Sequence, residues 1–163
     1  MTDLLLNKRI AFIKAGWHAD IITQGQQSFI AHLAAAGLSK TQIDIVEVPG
    51  ALEIPLHAQR MALTGKYALI ACGGFLVDGG IYRHEFVTQA VIDGIMRVML
   101  DTGVPILSMI LTPKNCYDPD RDEPFFLEHF RIKGEELANA ALATLKNTQV
   151  PEVAAIHHSQ AKR

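Results

Sequence analysis

YALIACGGFLVDGGIYRHEFV, residues 67–87, carries the clearest change from a strand pattern to a helix pattern in this chain. Its apolar beginning, residues 67–72, predicts a buried strand. Two glycine pairs follow, Gly73-Gly74 and Gly79-Gly80. Three ionisable residues stand where the helical pattern begins: Arg83, His84 and Glu85. Because glycines let the backbone approach a ligand and the first amides of a helix face it, the stretch predicts an anion site. In the alternative interpretation the glycines only turn the chain and the charges cap the helix.

Length and composition indicate a single globular domain. The chain has 163 residues, of which 49% are hydrophobic and 20% charged, and its formal net charge is −2. This charge, without any basic block, argues against a nucleic-acid partner. No apolar run is long enough for a signal peptide or a membrane span. Cys72 and Cys116 show no metal-ligand spacing, and neither a metal site nor a structural disulfide is expected. These features predict a soluble cytoplasmic protein.

Predicted strands and helices alternate along the chain. Apolar or β-branched runs predict strands at residues 9–15, 43–48, 67–72 and 106–111. Apolar periodicity predicts helices at about residues 20–36, 53–63 and 85–101. A polar loop is predicted at residues 112–123, followed by a short helix from Pro124 that Gly134 interrupts and a final helix to about Lys146. We interpret residues 1–8 as an N-terminal arm, 9–147 as one domain and 148–163 as a flexible tail.

This alternation predicts an α/β fold with right-handed crossovers between parallel strands. The expected architecture is a three-layer α/β/α sandwich around a flavodoxin-like, four-stranded parallel sheet of order 2-1-3-4. In such sheets ligands bind beyond the carboxyl ends of the strands. The rule brings together three stretches that are distant in sequence: residues 16–18, 49–53 and 73–84.

Two of these stretches contain further candidate binding residues. Trp17 is the single tryptophan and follows the first predicted strand, where it could stack on a planar heterocycle or serve only as a packing anchor. Pro49-Gly50 predicts a sharp turn that leaves the amides near Ala51 and Leu52 available to a ligand. Glu53 could accept hydrogen bonds from hydroxyl groups, or could only complement a helix dipole.

The sequence VPGALEIP, residues 48–55, resembles the Val-Pro-Gly-Ala-aromatic-Glu-Ile-Pro signature of lumazine synthases. Residues 74–87 are similar to that family's glycine-rich phosphate loop and helix start, and residues 105–112 to its fourth strand. Lys133-Gly134 resembles the Lys-Gly near the start of its last helix. The resemblance covers nearly all of residues 9–147 without a large insertion.

The resemblance implies an enzyme of riboflavin biosynthesis, a transferase that makes 6,7-dimethyl-8-ribityllumazine. Its substrates would be 5-amino-6-ribitylamino-pyrimidinedione and 3,4-dihydroxy-2-butanone 4-phosphate, and it would need no metal or cofactor. The alternative is a catalytically weak scaffold of the same fold that binds a flavin or lumazine. In both interpretations the partners are small molecules and copies of the same chain, with no nucleic acid and no membrane.

The resemblance also implies roles for individual residues. Trp17 would stack on the pyrimidine. The ribityl chain would be held by Ala51, Leu52 and Glu53, and the pyrimidine by backbone contacts of Phe75, Leu76 and Val77. The phosphate would be bound by Gly80, Ile81, His129 and Lys133. Ser108 falls where the family usually has an aromatic residue that a neighbouring subunit contributes.

Several positions depart from the family pattern. Counted without gaps, the family's proton-shuttling histidine falls on Arg83, and His84 is its neighbour. The phosphate-binding arginine falls on Phe125, and its nearby lysine on His129. These changes resemble the type II branch, which assembles as decamers of two pentamers, and Leu4–Leu6 offers an apolar arm for such contacts. A helix turns by about 100° per residue, so Arg83 and His84, the two candidate catalytic residues, should face differently. We expect Arg83 to point into the site and to support charge and phosphate, with proton transfer left mainly to substrate phosphate or water.

Overall fold

The computed structural model describes residues 8–78, 80, 83–114 and 117–147. The strands of this part are β1 (Arg9–Ala15), β2 (Ile43–Val48), β3 (Tyr67–Phe75) and β4 (Ile106–Leu111). The helices are α1 (Ala19–Ala35), α2 (Ile54–Leu63), α3 (His84–Thr102) and α4 (Pro119–Asn147), with 3-10 turns at Lys40–Gln42 and Ala51–Glu53. All four strands pair in parallel in the order β2-β1-β3-β4. The predicted sheet and its strand order are therefore confirmed.

The helices form two layers around the sheet. α1 packs against α4, and α2 packs against α3. The central strands β1 and β3 are almost entirely buried, as expected for strands that helices cover on both faces. Large apolar side chains fill the space between the layers, including Phe12, Phe29 and Phe130. The carboxyl ends of the strands consequently meet at one edge of a rigid sheet.

β3 is longer than the sequence predicted, because Gly73 and Gly74 belong to the strand. A Cβ atom on Gly73 would lie 2.9 Å from Ile22 Cγ2 on α1 and 3.2 Å from the Phe12 ring. Glycine here lets the first helix approach the sheet closely. Gly73 therefore serves packing, and the assignment of the first glycine pair to the strand–helix connection was wrong, because both glycines belong to β3.

The last helix corrects two further expectations. α4 is one continuous helix from Pro119, so the polar loop is shorter than predicted. The Asp118 carboxylate accepts a hydrogen bond from the Asp120 amide at 3.1 Å, and Asp122 accepts one from the Asp118 amide at 2.9 Å. These carboxylates cap the helix start, where the backbone amides lack intrahelical partners. Gly134 does not interrupt the helix; it is buried where α4 crosses α1.

The edge of the sheet away from the carboxyl ends is held by a polar contact between three strands. Asp44 on β2 accepts a hydrogen bond from Arg9 Nε at 2.6 Å and one from the Tyr67 hydroxyl at 3.0 Å. The hydrogen bond from Arg9 holds the pKa of Asp44 below its ordinary value of 3.8, although partial burial acts in the opposite direction. The side chains of Arg9 and Asp44 are 37% and 34% exposed, so solvent screens much of their attraction.

We expect Asp44→Asn to lower the melting temperature by about 2 °C at neutral pH. Because folding lowers the pKa of Asp44, its carboxylate stabilises the fold above pH 3.8, and this contribution is lost as the pH falls through the lower folded-state value. Circular-dichroism melts across this acid range should show the two proteins converging. Asp101→Asn removes the partner of a far more exposed ion pair and is the control. If the difference in melting temperature between Asp44→Asn and the parent protein persisted undiminished into strong acid, the stabilising role of the Asp44 carboxylate would be contradicted.

None of the described helices is long and apolar enough to cross a membrane. The predicted tail lies outside the described residues, as does the predicted arm except for Lys8. The division into arm, domain and tail stays a prediction.

Candidate active site

A cavity of about 450 Å³ opens at the carboxyl ends of the strands. Its walls come from three connections: the β1–α1 turn, the segment between β2 and α2, and the residues after β3 with the start of α3. The lining residues that the sequence predicted for the site are Trp17, Ala51, Leu52, Glu53, Phe75, Leu76, Val77 and His84. The stretches at residues 16–18, 49–53 and 73–84, which the sequence predicted to meet at the carboxyl ends of the strands, each contribute residues to this cavity.

Trp17 lies at the rim of this cavity. Its side chain is 73% exposed, which is unusual for the largest apolar side chain in a globular protein. The preceding residue, Gly16, donates its amide to the carbonyl of Val48 at 2.8 Å, and this bond holds the turn beside the end of β2. Trp17 is thus an exposed flat surface rather than a packing anchor.

The segment between β2 and α2 forms a second wall. Gly50 donates its amide to Glu53 Oε2 at 2.9 Å, and the intervening residues make a 3-10 turn. One carboxylate oxygen of Glu53 therefore stabilises the turn, while Oε1 takes no part in it. This arrangement fixes the position of Glu53 and leaves an acceptor for a ligand hydroxyl. Leu52 is 58% exposed beside it.

The residues after β3 form the back of the cavity. Phe75 is only 4% exposed and packs edge-on against His18 and Tyr117. The Leu76 amide donates to the carbonyl of Leu111 at 3.0 Å, so this amide is already used by the sheet edge. Backbone contacts from this segment to a ligand would therefore come from the Leu76 carbonyl or from Val77.

The phosphate positions are described only in part. Gly80 adopts a positive φ of 76°, and its amide donates to Asp78 Oδ1 at 2.8 Å. An anion could take this amide only by displacing the Asp78 carboxylate. Ile81, the other amide predicted for phosphate, lies outside the described residues.

The structure reverses the expected orientation of Arg83 and His84. Arg83 precedes α3, its side chain is 74% exposed, and its guanidinium lies 4.9 Å from the centre of the Phe86 ring. The His84 side chain is 12% exposed and lines the cavity. Helix α3 begins only at His84, so the backbone at Arg83 is not helical and turns its side chain away.

His84 carries a buried ring nitrogen that faces no hydrogen-bond partner among the described residues. This atom, Nδ1, lies 3.6 Å from Glu85 Oε2, which is beyond hydrogen-bond distance. A buried nitrogen without a partner is costly in a structural residue and common at a functional one. His84 thus places an ionisable ring in the wall of the cavity, as His18 does, and one nitrogen of that ring is buried without a partner among the described residues.

Three predicted site residues lie away from this cavity. Ser108 and Lys133 line a smaller hollow of about 230 Å³ between β4 and α4. The Lys133 ammonium contacts Glu136 at 2.7 Å. His129 lies on α4 stacked against Phe125, with ring centres 5.4 Å apart and an angle of 13° between the planes. Within one chain these residues do not contribute to the cavity that Trp17 and Glu53 line.

Sequence analysis gave His18 no role beyond beginning the first helix. Its ring lines the cavity, and it is the one non-glycine residue with a positive φ in the described part of the chain. The sequence contained a signal for this left-handed conformation. Histidine is among the residues that tolerate a positive φ, and His18 stands between a predicted strand and a predicted helix.

Comparisons with known proteins identify the family of this chain. A model of the 6,7-dimethyl-8-ribityllumazine synthase family matches residues 7–149. A protein named 6,7-dimethyl-8-ribityllumazine synthase 2, from Pseudomonas syringae pv. tomato, is 48% identical over 88% of this chain and 84% of its own length. The 6,7-dimethyl-8-ribityllumazine synthase of Rhodococcus erythropolis is 49% identical over 86% of this chain and 90% of its own. A protein of Bradyrhizobium diazoefficiens, also named 6,7-dimethyl-8-ribityllumazine synthase 2, is 46% identical over 85% and 82%. With this match across nearly all of the folded chain, the protein belongs to the 6,7-dimethyl-8-ribityllumazine synthase family.

Proposed function

We propose that the protein is a 6,7-dimethyl-8-ribityllumazine synthase that acts in riboflavin biosynthesis. It condenses 5-amino-6-ribitylamino-pyrimidinedione with 3,4-dihydroxy-2-butanone 4-phosphate and belongs to the transferases. The observation that carries the proposal is the cavity itself, in which an exposed indole, an anchored carboxylate and a buried imidazole meet. The indole can stack on a flat ring, the carboxylate can accept hydrogen bonds from a chain of hydroxyl groups, and the imidazole can transfer protons.

Trp17 and Glu53 divide the recognition of the pyrimidine between them. The indole offers a face for stacking on the ring. Glu53 Oε1, left out of the turn, accepts hydrogen bonds from the ribityl hydroxyls, and Ala51 and Leu52 lie beside the same chain of atoms. Because Gly50 already fixes the carboxylate, little conformational entropy is lost when the ribityl chain binds.

Holding both substrates together supplies much of the rate acceleration. The reaction forms an imine between the pyrimidine amine and the ketone, eliminates phosphate and closes the second ring. Correct alignment of two reactants is worth up to about 7–11 kcal/mol of the barrier. The imidazole of His84 transfers protons during these steps, which adds about 100-fold or more. This division explains how the protein works with arginine at the family's histidine position.

The phosphate end of the site is completed by a neighbouring subunit. Ser108, His129 and Lys133 lie outside the cavity of their own chain, and two of them line the hollow between β4 and α4. In a ring of identical chains this surface would face the cavity of the next subunit. Lys133 would then bring positive charge to the phosphate, and His129 a hydrogen-bonding ring, where the family arginine is replaced by Phe125.

The decisive experiment is turnover by purified protein of the two substrates, followed by the absorbance of the lumazine product. We expect product formation without added metal and unchanged in the presence of a chelator. Loss of activity on chelation, with recovery on adding a divalent ion, would overturn the cofactor-free reaction. Riboflavin binding without any turnover would instead favour a scaffold that only binds flavins. Location in the cytoplasm stays a prediction from the sequence.

We expect light scattering to show a homo-oligomer built on pentamers, namely a decamer. Its mass would be about 179 kDa, ten times the chain mass of 17.9 kDa. Large apolar side chains that are exposed on or beside α2 and α3 support such an assembly: Leu52, Leu56, Leu63, Met96 and Leu100. A mass near that of one chain would contradict the shared site as well as the assembly. A much larger shell-like particle would retain the pentamer and exclude the decamer.

A further inference from the structure

His18 adopts a backbone conformation that L-residues avoid. Its φ is 55° and its ψ is 39°, and among the described residues every other positive φ belongs to a glycine. In this left-handed region the Cβ atom crowds the backbone, so the conformation persists only where surrounding contacts impose it. Such outliers concentrate at functional sites, which makes the contacts of His18 informative.

Helix capping does not account for His18. The residue is the N-cap of α1, yet its side chain makes no capping hydrogen bond. Its backbone carbonyl accepts the Ile22 amide at 3.1 Å, which any residue type would provide. Serine, threonine, asparagine or aspartate would stabilise a helix start better. The imidazole is therefore present for another reason.

The ring of His18 contacts two other aromatic rings, Phe75 and Tyr117, at one side of a larger aromatic cluster that also contains Phe126 and Phe130. Its centre lies 5.5 Å from that of Phe75 and 5.5 Å from that of Tyr117, and those two are 5.4 Å apart. All three pairs meet edge to face, which is a favourable geometry for aromatic rings. Each ring comes from a different connection at the carboxyl edge of the sheet. The cluster thus joins the β1–α1 turn to the end of β3 and to the segment that precedes α4.

Tyr117 is itself anchored to the cavity segment. Its amide donates to the carbonyl of Asp78 at 3.3 Å. The side of the cluster that His18 contacts is therefore fixed by both backbone and ring contacts. The ring of His18 thus packs against two rings that are themselves held in place.

We propose that His18 is a positioning residue for ring recognition. Its imidazole, packed edge to face against both Phe75 and Tyr117, fixes the left-handed turn that holds the adjacent indole of Trp17 at the rim of the cavity. Both side chains line the cavity, and Trp17 has few contacts of its own, being 73% exposed. A preorganised indole binds a flat heterocycle more tightly than a mobile one, because less conformational entropy is lost. The inference rests on the proposed function for the identity of the ring.

The test follows Trp17 directly, since it is the single tryptophan of the chain. Time-resolved fluorescence anisotropy reports the motion of the indole, and titration with riboflavin, a flat heterocycle with a ribityl chain, reports ring binding. Glycine accepts the left-handed conformation without strain, so His18→Gly keeps the turn possible but removes the imidazole ring. We expect faster indole motion, riboflavin binding weakened by about 10-fold, and a raised KM for the pyrimidine with little change in kcat. His18→Phe, which restores a ring, should recover most of the affinity.

Unchanged anisotropy and riboflavin affinity in His18→Gly would overturn the proposal. If that variant does not fold, two substitutions of Tyr117 provide the test. Tyr117→Leu removes the aromatic ring that His18 contacts, whereas Tyr117→Phe retains it, so only Tyr117→Leu should increase the motion of the indole. Equal behaviour of these two variants would also overturn it. A wild-type protein that neither binds riboflavin nor makes lumazine would contradict the proposed function, whereas the anisotropy still decides whether His18 holds Trp17.

Discussion

Gly134→Ala should lower the free energy of unfolding by about 2 kcal/mol or more. A Cβ atom at this position would lie 2.1 Å from the carbonyl oxygen of Gly25 and within 2.9 Å of two more of its backbone atoms. Because these are backbone atoms, relief requires α1 and α4 to move apart. Overpacking of this kind costs about 3 kcal/mol, and the better helix propensity of alanine returns about 1 kcal/mol. The clash therefore outweighs the propensity.

Urea denaturation of the variant and the parent protein measures this difference. Asn139→Ala provides the control, since it also introduces alanine, at an exposed position of the same helix, and should leave stability unchanged or slightly higher. Gly25→Ala should also destabilise the fold, but less than Gly134→Ala. Its two closest contacts, at 2.5 Å, are the Sδ and Cε atoms of the flexible Met109 side chain, and its nearest backbone contact, the carbonyl oxygen of Phe130, is at 2.9 Å rather than 2.1 Å. A Gly134→Ala protein as stable as its parent would show that the two helices can separate without loss of packing.

Gly134 also shows where prediction from the sequence reaches its limit. From a single sequence, a glycine within a helical pattern predicts a break in the helix, and a glycine after a strand predicts a turn. Gly134 and Gly73 both serve close packing instead, against Gly25 and Ile22. Which role a glycine has depends on the element that packs against it, and that element is distant in sequence. The local pattern therefore cannot distinguish the two roles.

Strands were predicted more accurately because their limits are encoded locally. The predicted ranges of β1, β2 and β4 coincide with the observed ones. Each is a short apolar or β-branched run, and glycine or proline follows closely in most cases. The cavity was also predictable, since the carboxyl ends of parallel strands meet at one edge. The orientation of Arg83 and His84 was not, because it depends on the residue at which α3 begins.

His84→Gln should lower kcat/KM by about 100-fold, the lower end of the range for a general acid–base group. The side chain is 12% exposed, lines the cavity and has a ring nitrogen without a hydrogen-bond partner among the described residues. A histidine side chain can exchange protons at physiological pH, whereas an arginine side chain cannot. Glutamine retains the polarity and approximate size of the side chain, so the substitution removes proton transfer with little disturbance to packing.

Arg83→Gln is the matched control at the neighbouring position. Its side chain is 74% exposed and lies against Phe86, so its replacement should reduce kcat/KM only a few-fold, by about 1 kcal/mol of lost charge interaction. The His84 backbone carbonyl accepts a hydrogen bond from the Thr88 hydroxyl at 2.9 Å, and this bond survives in both variants.

The loss in His84→Gln should appear in kcat rather than KM, because proton transfer acts only in the transition state. A larger loss in Arg83→Gln would restore the assignment made by position in the family motif. Residual turnover in His84→Gln is expected, since the aligned substrates retain the larger part of the rate acceleration.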